Sequence, residues 1–122
     1  MSTSDVEAKN DPNCLFCKIV AQKIPSQKVS ENEHSIAIRD VNPQAPTHIL
    51  VLPKIHIANI AAAAANAELV AKLIQTACQV AQEQNLTKGF RLVVNTGDEG
   101  GQTVHHLHIH VLGGRFMGWP PG

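Results

Sequence analysis

Three shortages limit what this sequence can do. Its ten basic and ten acidic residues leave no formal net charge, so neither a nucleic acid backbone nor an anionic membrane surface is a favoured partner. Aromatic residues make up only 3% of the chain and tyrosine is missing, which argues against a platform of stacked rings for single-stranded nucleic acid. No apolar run approaches the roughly 18 residues of a transmembrane helix. We therefore expect a protein that binds neither nucleic acid nor membranes.

Cysteine is also scarce, and its number indicates the compartment. Three cysteines, an odd number, suit a reducing environment better than a framework of disulfides. Residues 1–12 are polar and lack the apolar core of a signal peptide, so we expect them to form a disordered tail of a cytoplasmic protein. The remaining stretch, residues 13–122, is long enough for one domain with a hydrophobic core but not for two.

The hydrophobic pattern predicts an α+β domain. Apolar residues at helical spacing predict a short helix over 15–20 that Pro25 ends, and a long helix from an N-cap at Asn66 to about Gln84. Strands are predicted over 28–30, 35–39, 47–53 and 90–95, and a histidine-rich strand follows. The alanine-rich run 61–65 fits either a helical turn or a loop. Since a single long helix cannot cross over every strand pair, the sheet should be mainly antiparallel, with the helices on one face.

Histidines near the C-terminus are the most informative feature. His106, His108 and His110 alternate with aliphatic residues. Successive side chains of a strand point to opposite faces, so the three imidazoles should form a row on one face, neighbours roughly 7 Å apart. Packing alone gives no reason to align three imidazoles, so the row indicates binding or catalysis. Spacing alone leaves two readings open: a nucleophilic histidine between polar neighbours, or a metal site.

The string from His106 to Leu112, His-Leu-His-Ile-His-Val-Leu, resembles the signature of the histidine-triad superfamily. Further segments resemble its Hint branch of nucleotide-binding proteins: residues 43–48, 94–95, 101–104 and 112–122. The resemblance covers roughly residues 13–122, which would form one histidine-triad domain. It implies an α+β fold with a five-stranded antiparallel sheet, one long helix and one short helix. It also implies a homodimer with one continuous sheet.

The same resemblance implies an enzymatic function. Hint proteins hydrolyse the phosphorus–nitrogen bond of purine nucleoside 5′-phosphoramidates through a nucleotidylated histidine, so AMP or GMP and their phosphoramidates are the expected ligands, with aminoacyl-adenylates as further substrates. No cofactor is required for that catalysis. The alternatives are a dinucleoside polyphosphate hydrolase and a nucleotide-binding scaffold with incidental catalysis. The ending Trp119–Gly122 favours the phosphoramidase.

By resemblance, four histidines take catalytic roles. His108 matches the nucleophile, His110 contacts the phosphate, and His106 forms a relay with His48. Nothing is assigned to His105, and the other two histidines are expected at the surface. For His48 alone, a strand residue bonded to a backbone carbonyl is the alternative.

Substrate contacts are also expected by resemblance. Asp40 matches an acid that binds both ribose hydroxyls, although a carboxylate before Pro43 could instead cap a turn. Hydrogen bonds to phosphate oxygens are expected from Asn95, Gln102 and Thr103, which could otherwise bond their own backbone; a serine is more common than Thr103 at its position. An apolar clamp for the base, or plain core, is expected from Leu15, Phe16, Ile19 and Val41. Trp119 is expected beside the leaving group.

A structural zinc ion is the one metal that the sequence suggests, and whether it is bound stays open at this point. Cys14 and Cys17 form a Cys-x-x-Cys pair, which supplies half of a zinc site. His48 and His106 could complete it, as in some bacterial members of the superfamily. Zinc would then remove two histidines from the relay but not the nucleophile. The third cysteine, Cys78, is expected in the core.

Overall fold

A computed structural model describes residues 10–122, so most of the expected tail, residues 1–9, lies outside the described part of the chain. In chain order the elements are α1 (Leu15–Val20), β1 (Lys28–Glu31), β2 (Ser35–Arg39), β3 (Thr47–Pro53), α2 (Ile60–Ala63), α3 (Ala67–Glu83), β4 (Phe90–Val93) and β5 (Ile109–Gly113). The alanine-rich run therefore contributes a short helix. None of the helices within residues 10–122 combines the length and hydropathy needed to cross a bilayer.

The five strands form one sheet in the order β1-β2-β3-β5-β4. Every neighbouring pair is antiparallel, which confirms the predicted fold class. The register of β3 on β5 pairs Leu50 with His110 and His48 with Leu112. Side chains two residues apart on one strand share a face, and diagonal neighbours on paired strands lie within reach of each other. The pairing therefore brings His48 and His110 together on one face.

Helices cover both faces of the sheet, so the expectation that they share one face is wrong. The long α3 packs on one face, where Ile49, Val51 and Val111 belong to a buried cluster. On the opposite face, Phe16 and Ile19 of α1 belong to a second cluster, together with residues of β2 and β3. The physical reason is that these two central strands are apolar on both sides, as strands buried on two faces must be.

The helix α3 follows its predicted amphipathic pattern. The side chain of Asn66 accepts the N–H of Leu69 at 3.2 Å and so caps the first turn. Leu73, Ala77 and Val80, spaced by three and four residues, are buried. Cys78 follows Ala77 and therefore points away from the sheet, where it is exposed. Its expected place in the core is wrong.

The start of the last strand and the start of the domain differ from the prediction. Regular pairing of β5 begins at Ile109, so His106 and His108 precede the strand. The alternation nevertheless continues, because Leu107 is buried in the cluster under α3. At the N-terminal end, Asp11 accepts the N–H of Asn13 through Oδ1 at 2.9 Å and the N–H of Cys14 through its carbonyl at 3.0 Å. Contacts thus begin before residue 13, the expected domain boundary.

Candidate active site and metal centre

His108 is held in a tautomer that suits a nucleophile. Its Nδ1 lies 2.7 Å from the backbone carbonyl oxygen of His106. Because a carbonyl only accepts, we assign the ring proton to Nδ1, which leaves the lone pair on Nε2. Burial lowers the pKa of His108, against the opposing effects of the His106 carbonyl and of Asp40. The ring is therefore neutral at pH 7 and can attack through Nε2.

A chain of hydrogen bonds fixes the tautomers of His48 and His110. The backbone N–H of Gln44 donates to Nδ1 of His48 at 3.0 Å, so the proton of neutral His48 must lie on Nε2. That atom is 2.9 Å from Nδ1 of His110, which accepts. The proton of His110 consequently lies on its own Nε2. One backbone amide thus orients two imidazoles in series.

The last group in this series of hydrogen bonds is the Nε2–H donor of His110. Nε2 of His110 is buried and has no hydrogen-bond partner among the described residues. The rings of His110 and His108 lie side by side, with centroids 5.0 Å apart. Burial, with smaller effects of His108 and His48, lowers the pKa of His110 to about 4. A buried neutral N–H next to a nucleophile is suited to a substrate oxygen.

One carboxylate oxygen of Asp40 caps a turn, and the other lies in the site. Its Oδ1 accepts the N–H of Asn42 at 2.8 Å, so the turn cap that was the alternative reading is present. Its Oδ2 lies 3.4 Å from Nε2 of His48. Together with Val41 and Pro43, it lines a cleft of about 640 Å³. Binding of ribose at this cleft stays a prediction.

The four residues expected to clamp a base fall into two pairs. Phe16 and Ile19 are buried in the cluster beneath α1, as core residues would be, and the edge of the Phe16 ring packs on His108 with centroids 5.0 Å apart. Leu15 is 45% exposed and Val41 is 99% exposed. The exposed pair has apolar surface to offer a ligand, whereas Phe16 of the buried pair packs against His108.

Gln102 does not have the role expected for it. Its Nε2 donates to the carbonyls of Ala58 at 2.7 Å and Val104 at 3.0 Å, and its Oε1 accepts the N–H of Gly97 at 3.0 Å. Both amide protons are therefore used by the backbone, so the expected donation to phosphate is wrong. Gln102 instead forms hydrogen bonds with three separate backbone groups. It thereby stabilises the glycine-rich turn that precedes the histidine segment.

The other two expected phosphate ligands and the tail are less constrained. Val93 pairs with His110, so continuing that register by two residues sets Asn95 opposite His108. Thr103 is exposed. Trp119 is 83% exposed, and the tail before it is tied down where Nη2 of Arg91 donates to the Gly118 carbonyl at 2.9 Å. The roles of these residues stay predictions.

A second cluster has the composition of a zinc site. The Sγ atoms of Cys14 and Cys17 and the Nδ1 atoms of His56 and His106 all lie within 4.8 Å of one another. Sulfur–nitrogen distances are 3.4 Å for Cys14–His106, 3.5 Å for Cys17–His106 and 3.3 Å for Cys17–His56. Tetrahedral zinc with bonds of about 2.0–2.3 Å separates its ligands by about 3.3–3.8 Å. The four donors therefore fit zinc in both kind and spacing.

Hydrogen bonds prepare the cluster for a metal. Nε2 of His106 donates to the Pro53 carbonyl at 2.9 Å, which directs the lone pair of Nδ1 toward the two thiols. Burial lowers the pKa of His106 to about 4, so the ring is neutral. Burial also raises the pKa of the Cys17 thiol to about 11, so a bound metal would displace its proton.

This cluster corrects two expectations about histidine. His48 is not among the four donors; His56, expected at the surface, takes its place. Because Val51 pairs with Ile109, the chain just beyond β3 lies beside His106. His48 sits at the other end of β3, roughly 20 Å along the strand at 3.3 Å per residue. For the same reason the expected relay of His106 with His48 is wrong: His48 bonds His110 instead.

Asp40, His48 and His110 also converge closely enough to suggest a metal site, but their hydrogen bonds argue against one. Nδ1 of His48 already accepts the Gln44 N–H. A metal on Nε2 would have to displace the only ring proton and leave an imidazolate. We therefore assign metal-ligand character to the cysteine cluster alone.

Comparison with known proteins agrees with this geometry. Residues 21–117 match the family model of the HIT domain. The chain is 45% identical over 116 residues to the 14 kDa zinc-binding protein of Zea mays, covering 93% of this chain and 91% of that protein. It is 40% identical over 116 residues to adenylylsulfatase HINT1 of Arabidopsis thaliana, covering 93% and 79%. The crystal structure of a HIT family hydrolase from Legionella pneumophila is similar with a TM-score of 0.87 at 49% identity, covering 90% of this chain and 100% of that one.

Proposed function

This chain belongs to the HIT family, and from that premise we propose that it hydrolyses purine nucleoside 5′-phosphoramidates through a nucleotidyl-histidine intermediate. One observation carries the proposal. Nε2 of His108 keeps its lone pair, and the adjacent ring of His110, with its centroid 5.0 Å away, carries a buried N–H that has no partner among the described residues. A nucleophile next to a preorganised donor is the arrangement that attack on a phosphoryl group needs.

The first step transfers the nucleotide to the enzyme. Nε2 of His108 attacks phosphorus, the new nitrogen–phosphorus bond forms, and the substrate phosphorus–nitrogen bond breaks. The departing amine takes a proton from water. Nε2–H of His110 donates to a phosphoryl oxygen, whose negative charge grows in the transition state. His48 holds this donor in place, since its own N–H bonds Nδ1 of His110 at 2.9 Å.

The second step returns the enzyme to its starting state. A substituted Nε2 together with a protonated Nδ1 makes the ring of His108 cationic. The His106 carbonyl, 2.7 Å from Nδ1, stabilises that charge because hydrogen bonds from charged donors are the stronger ones. Water then attacks phosphorus and gives up a proton to the solvent, which replaces the proton taken by the amine. The bond from phosphorus to Nε2 of His108 breaks, and a nucleoside 5′-monophosphate is released.

Selection of the nucleotide is assigned to the cleft beside this pair. Oδ2 of Asp40 accepts from ribose hydroxyls, and the exposed side chains of Leu15 and Val41 contact the purine. Val41 lines the same cleft as Asp40, whereas Leu15 lines a second cleft together with Thr103. Asn95 and Thr103 bond phosphate oxygens, and Trp119 contacts the leaving group. AMP and GMP, their phosphoramidates and aminoacyl-adenylates are the ligands of this proposal.

A related substrate deserves direct comparison, since one relative is named an adenylylsulfatase. Attack by His108 on the phosphorus of adenylyl sulfate would give the same adenylated histidine with sulfate as the leaving group. Diadenosine polyphosphates are the third class. Rates with adenosine 5′-phosphoramidate, adenylyl sulfate and a diadenosine polyphosphate separate these activities. The proposal predicts the highest kcat/KM for the phosphoramidate.

Trapping the intermediate tests the mechanism. Rapid acid-free quenching followed by mass spectrometry should find AMP attached to His108. An adduct on another residue, or turnover by His108→Ala at the wild-type rate, would contradict the proposal. His108→Ala should still bind AMP, because the ribose and base contacts lie on other residues.

We also propose that the cysteine cluster holds a structural zinc ion. Cys14, Cys17, His56 and His106 would be its four ligands; bound zinc would supply a cross-link between the start of α1 and the segments at residues 56 and 106. Four protein ligands leave no open position for substrate. Metal analysis of the purified protein should give about one zinc per chain, and no retained metal would contradict this assignment.

A further inference from the structure

His106 belongs to both the metal cluster and the catalytic site. Through its ring it contributes Nδ1 to the cluster, 3.4 Å from Sγ of Cys14 and 3.5 Å from Sγ of Cys17. Through its backbone carbonyl it accepts the Nδ1 proton of His108 at 2.7 Å. The ring is completely buried. Any change in how this ring is held therefore reaches the carbonyl that orients the nucleophile.

The backbone of this segment has few other anchors. Regular strand pairing begins only at Ile109. Between residues 103 and 108, the described structure has one backbone hydrogen bond outside the sheet, from the N–H of Leu107 to the carbonyl of Ile57 at 2.7 Å. Ile57 is the neighbour of His56, itself a member of the cluster. A further contact, from Nε2 of Gln102 to the Val104 carbonyl at 3.0 Å, lies before this point. The two anchors nearest the nucleophile, the His106 ring and the Leu107 N–H, thus lead to the same four donors.

We propose that Cys14, Cys17 and His56 are positioning residues for catalysis: with metal bound, they hold the His106 carbonyl where it keeps His108 in its nucleophilic tautomer. The inference rests on the proposed function of His108. Without a metal, the hydrogen-bond partners of His106 Nδ1 among the described residues are the thiols of Cys14 and Cys17, and thiols are weak partners. The ring is then held firmly at Nε2 alone, by the Pro53 carbonyl. The metal performs no chemistry on the substrate in this role.

A purely structural role for the cluster predicts something different. It would change the fraction of folded molecules and leave each folded molecule equally active. Positioning instead lowers kcat for each folded molecule and leaves binding of the ribose unchanged, because the cleft that Asp40 lines contains none of the four donors. Leu15 and Thr103 line a second cleft together with Cys14 and His56, so the loss of kcat is compared with any loss of AMP affinity and must exceed it. Loss of partners that orient a functional histidine costs about 10–100-fold in activity. We expect a loss of kcat in this range.

The experiment uses the full chain loaded with zinc, the same chain after removal of zinc by a chelator, and the variants His56→Ala and Cys14→Ser. Cys78→Ser is the matched control, since this thiol is exposed on α3. Calorimetric titration with AMP counts the binding-competent molecules, and kcat is expressed per AMP site. The ¹⁵N and ¹H resonances of the His108 imidazole report its tautomer and the Nδ1 hydrogen bond.

The expected result, after zinc removal and in both cluster variants, is a fall in kcat per AMP site that exceeds any fall in AMP affinity, together with an altered His108 Nδ1–H resonance. Zinc added back to the wild-type chain restores both, and Cys78→Ser behaves as wild type. An unchanged resonance and kcat per site would overturn the inference, as would metal-free chain that binds no AMP. If the zinc-loaded chain turns over none of the three substrate classes, the proposed function fails, whereas the resonance still tests the positioning.

Discussion

Replacing His110 by alanine should lower kcat by about 10²–10³-fold, the usual cost of losing one preorganised donor to a developing charge. The structure places the loss toward the upper end of that range. Nε2 of His110 is buried and has no partner within residues 10–122, so its hydrogen bond to the substrate would form away from water, where it is strongest. The substitution leaves the four metal donors in place, because His110 bonds His48 and not the cluster.

Two matched variants locate the origin of this loss. His110→Gln keeps an N–H near the position of Nε2 and should recover about tenfold, as expected for one hydrogen bond of roughly 1.4 kcal/mol. His48→Ala removes only the group that fixes the tautomer and should cost at most about tenfold, since neutral His110 still populates the Nε2–H form. Single-turnover kinetics with adenosine 5′-phosphoramidate measure all three. If His110→Ala raises KM and leaves kcat unchanged, the assignment of its N–H to the transition state is refuted.

Three further predictions follow from particular contacts. Asp40→Asn retains the oxygen that caps Asn42 but loses the carboxylate, so it should weaken AMP binding more than binding of the 2′,3′-dideoxy analogue, measured by calorimetry; equal losses would make Asp40 a cap only. The pKa of His110 is about 4 in the folded chain and near 6.5 when unfolded, so the unfolded state takes up more protons between these values. The free energy of unfolding should therefore fall as pH drops from about 6.5 to 4. Denaturant melts should show a smaller fall for His110→Gln, and identical slopes would contradict the cause. Finally, the chain should be a homodimer of twice 13.1 kDa by light scattering, because β4 has a free edge in the described sheet; a monomer at micromolar concentration would refute this.

Local pattern was sufficient for much of the fold. The spacing of Leu73, Ala77 and Val80 predicted the buried face of α3, and five strands with one long helix predicted an antiparallel α+β sheet. The helix prediction depends on a period of 3.6 residues and the strand predictions on a period of two. Both periods can be read from the order of apolar and polar residues. The alternation around His108 also survives where regular pairing has not begun, because Leu107 must still enter the core.

The partners of each histidine could not be predicted in this way. From the sequence we expect the relay and the metal site each to contain both His48 and His106, and we expect His56 at the surface. Only the register of β3 on β5 decides the matter, because it sends His48 to His110 at one end and brings the chain after β3 to His106 at the other. That register joins residues about sixty positions apart, and no local period encodes it.

The sequence by itself therefore determined how residue types divide between the two faces at the last strand and the segment before it: imidazoles on one face and aliphatic groups on the other. It also predicted binding or catalysis at these residues, since packing alone gives no reason to align histidines. Only the tertiary structure decided that these histidines divide into two clusters joined through His106, and that Gln102 serves the backbone. The physical reason is that side-chain direction follows from neighbouring residues, whereas contact between distant segments follows from strand pairing and from the closure of loops around a shared core.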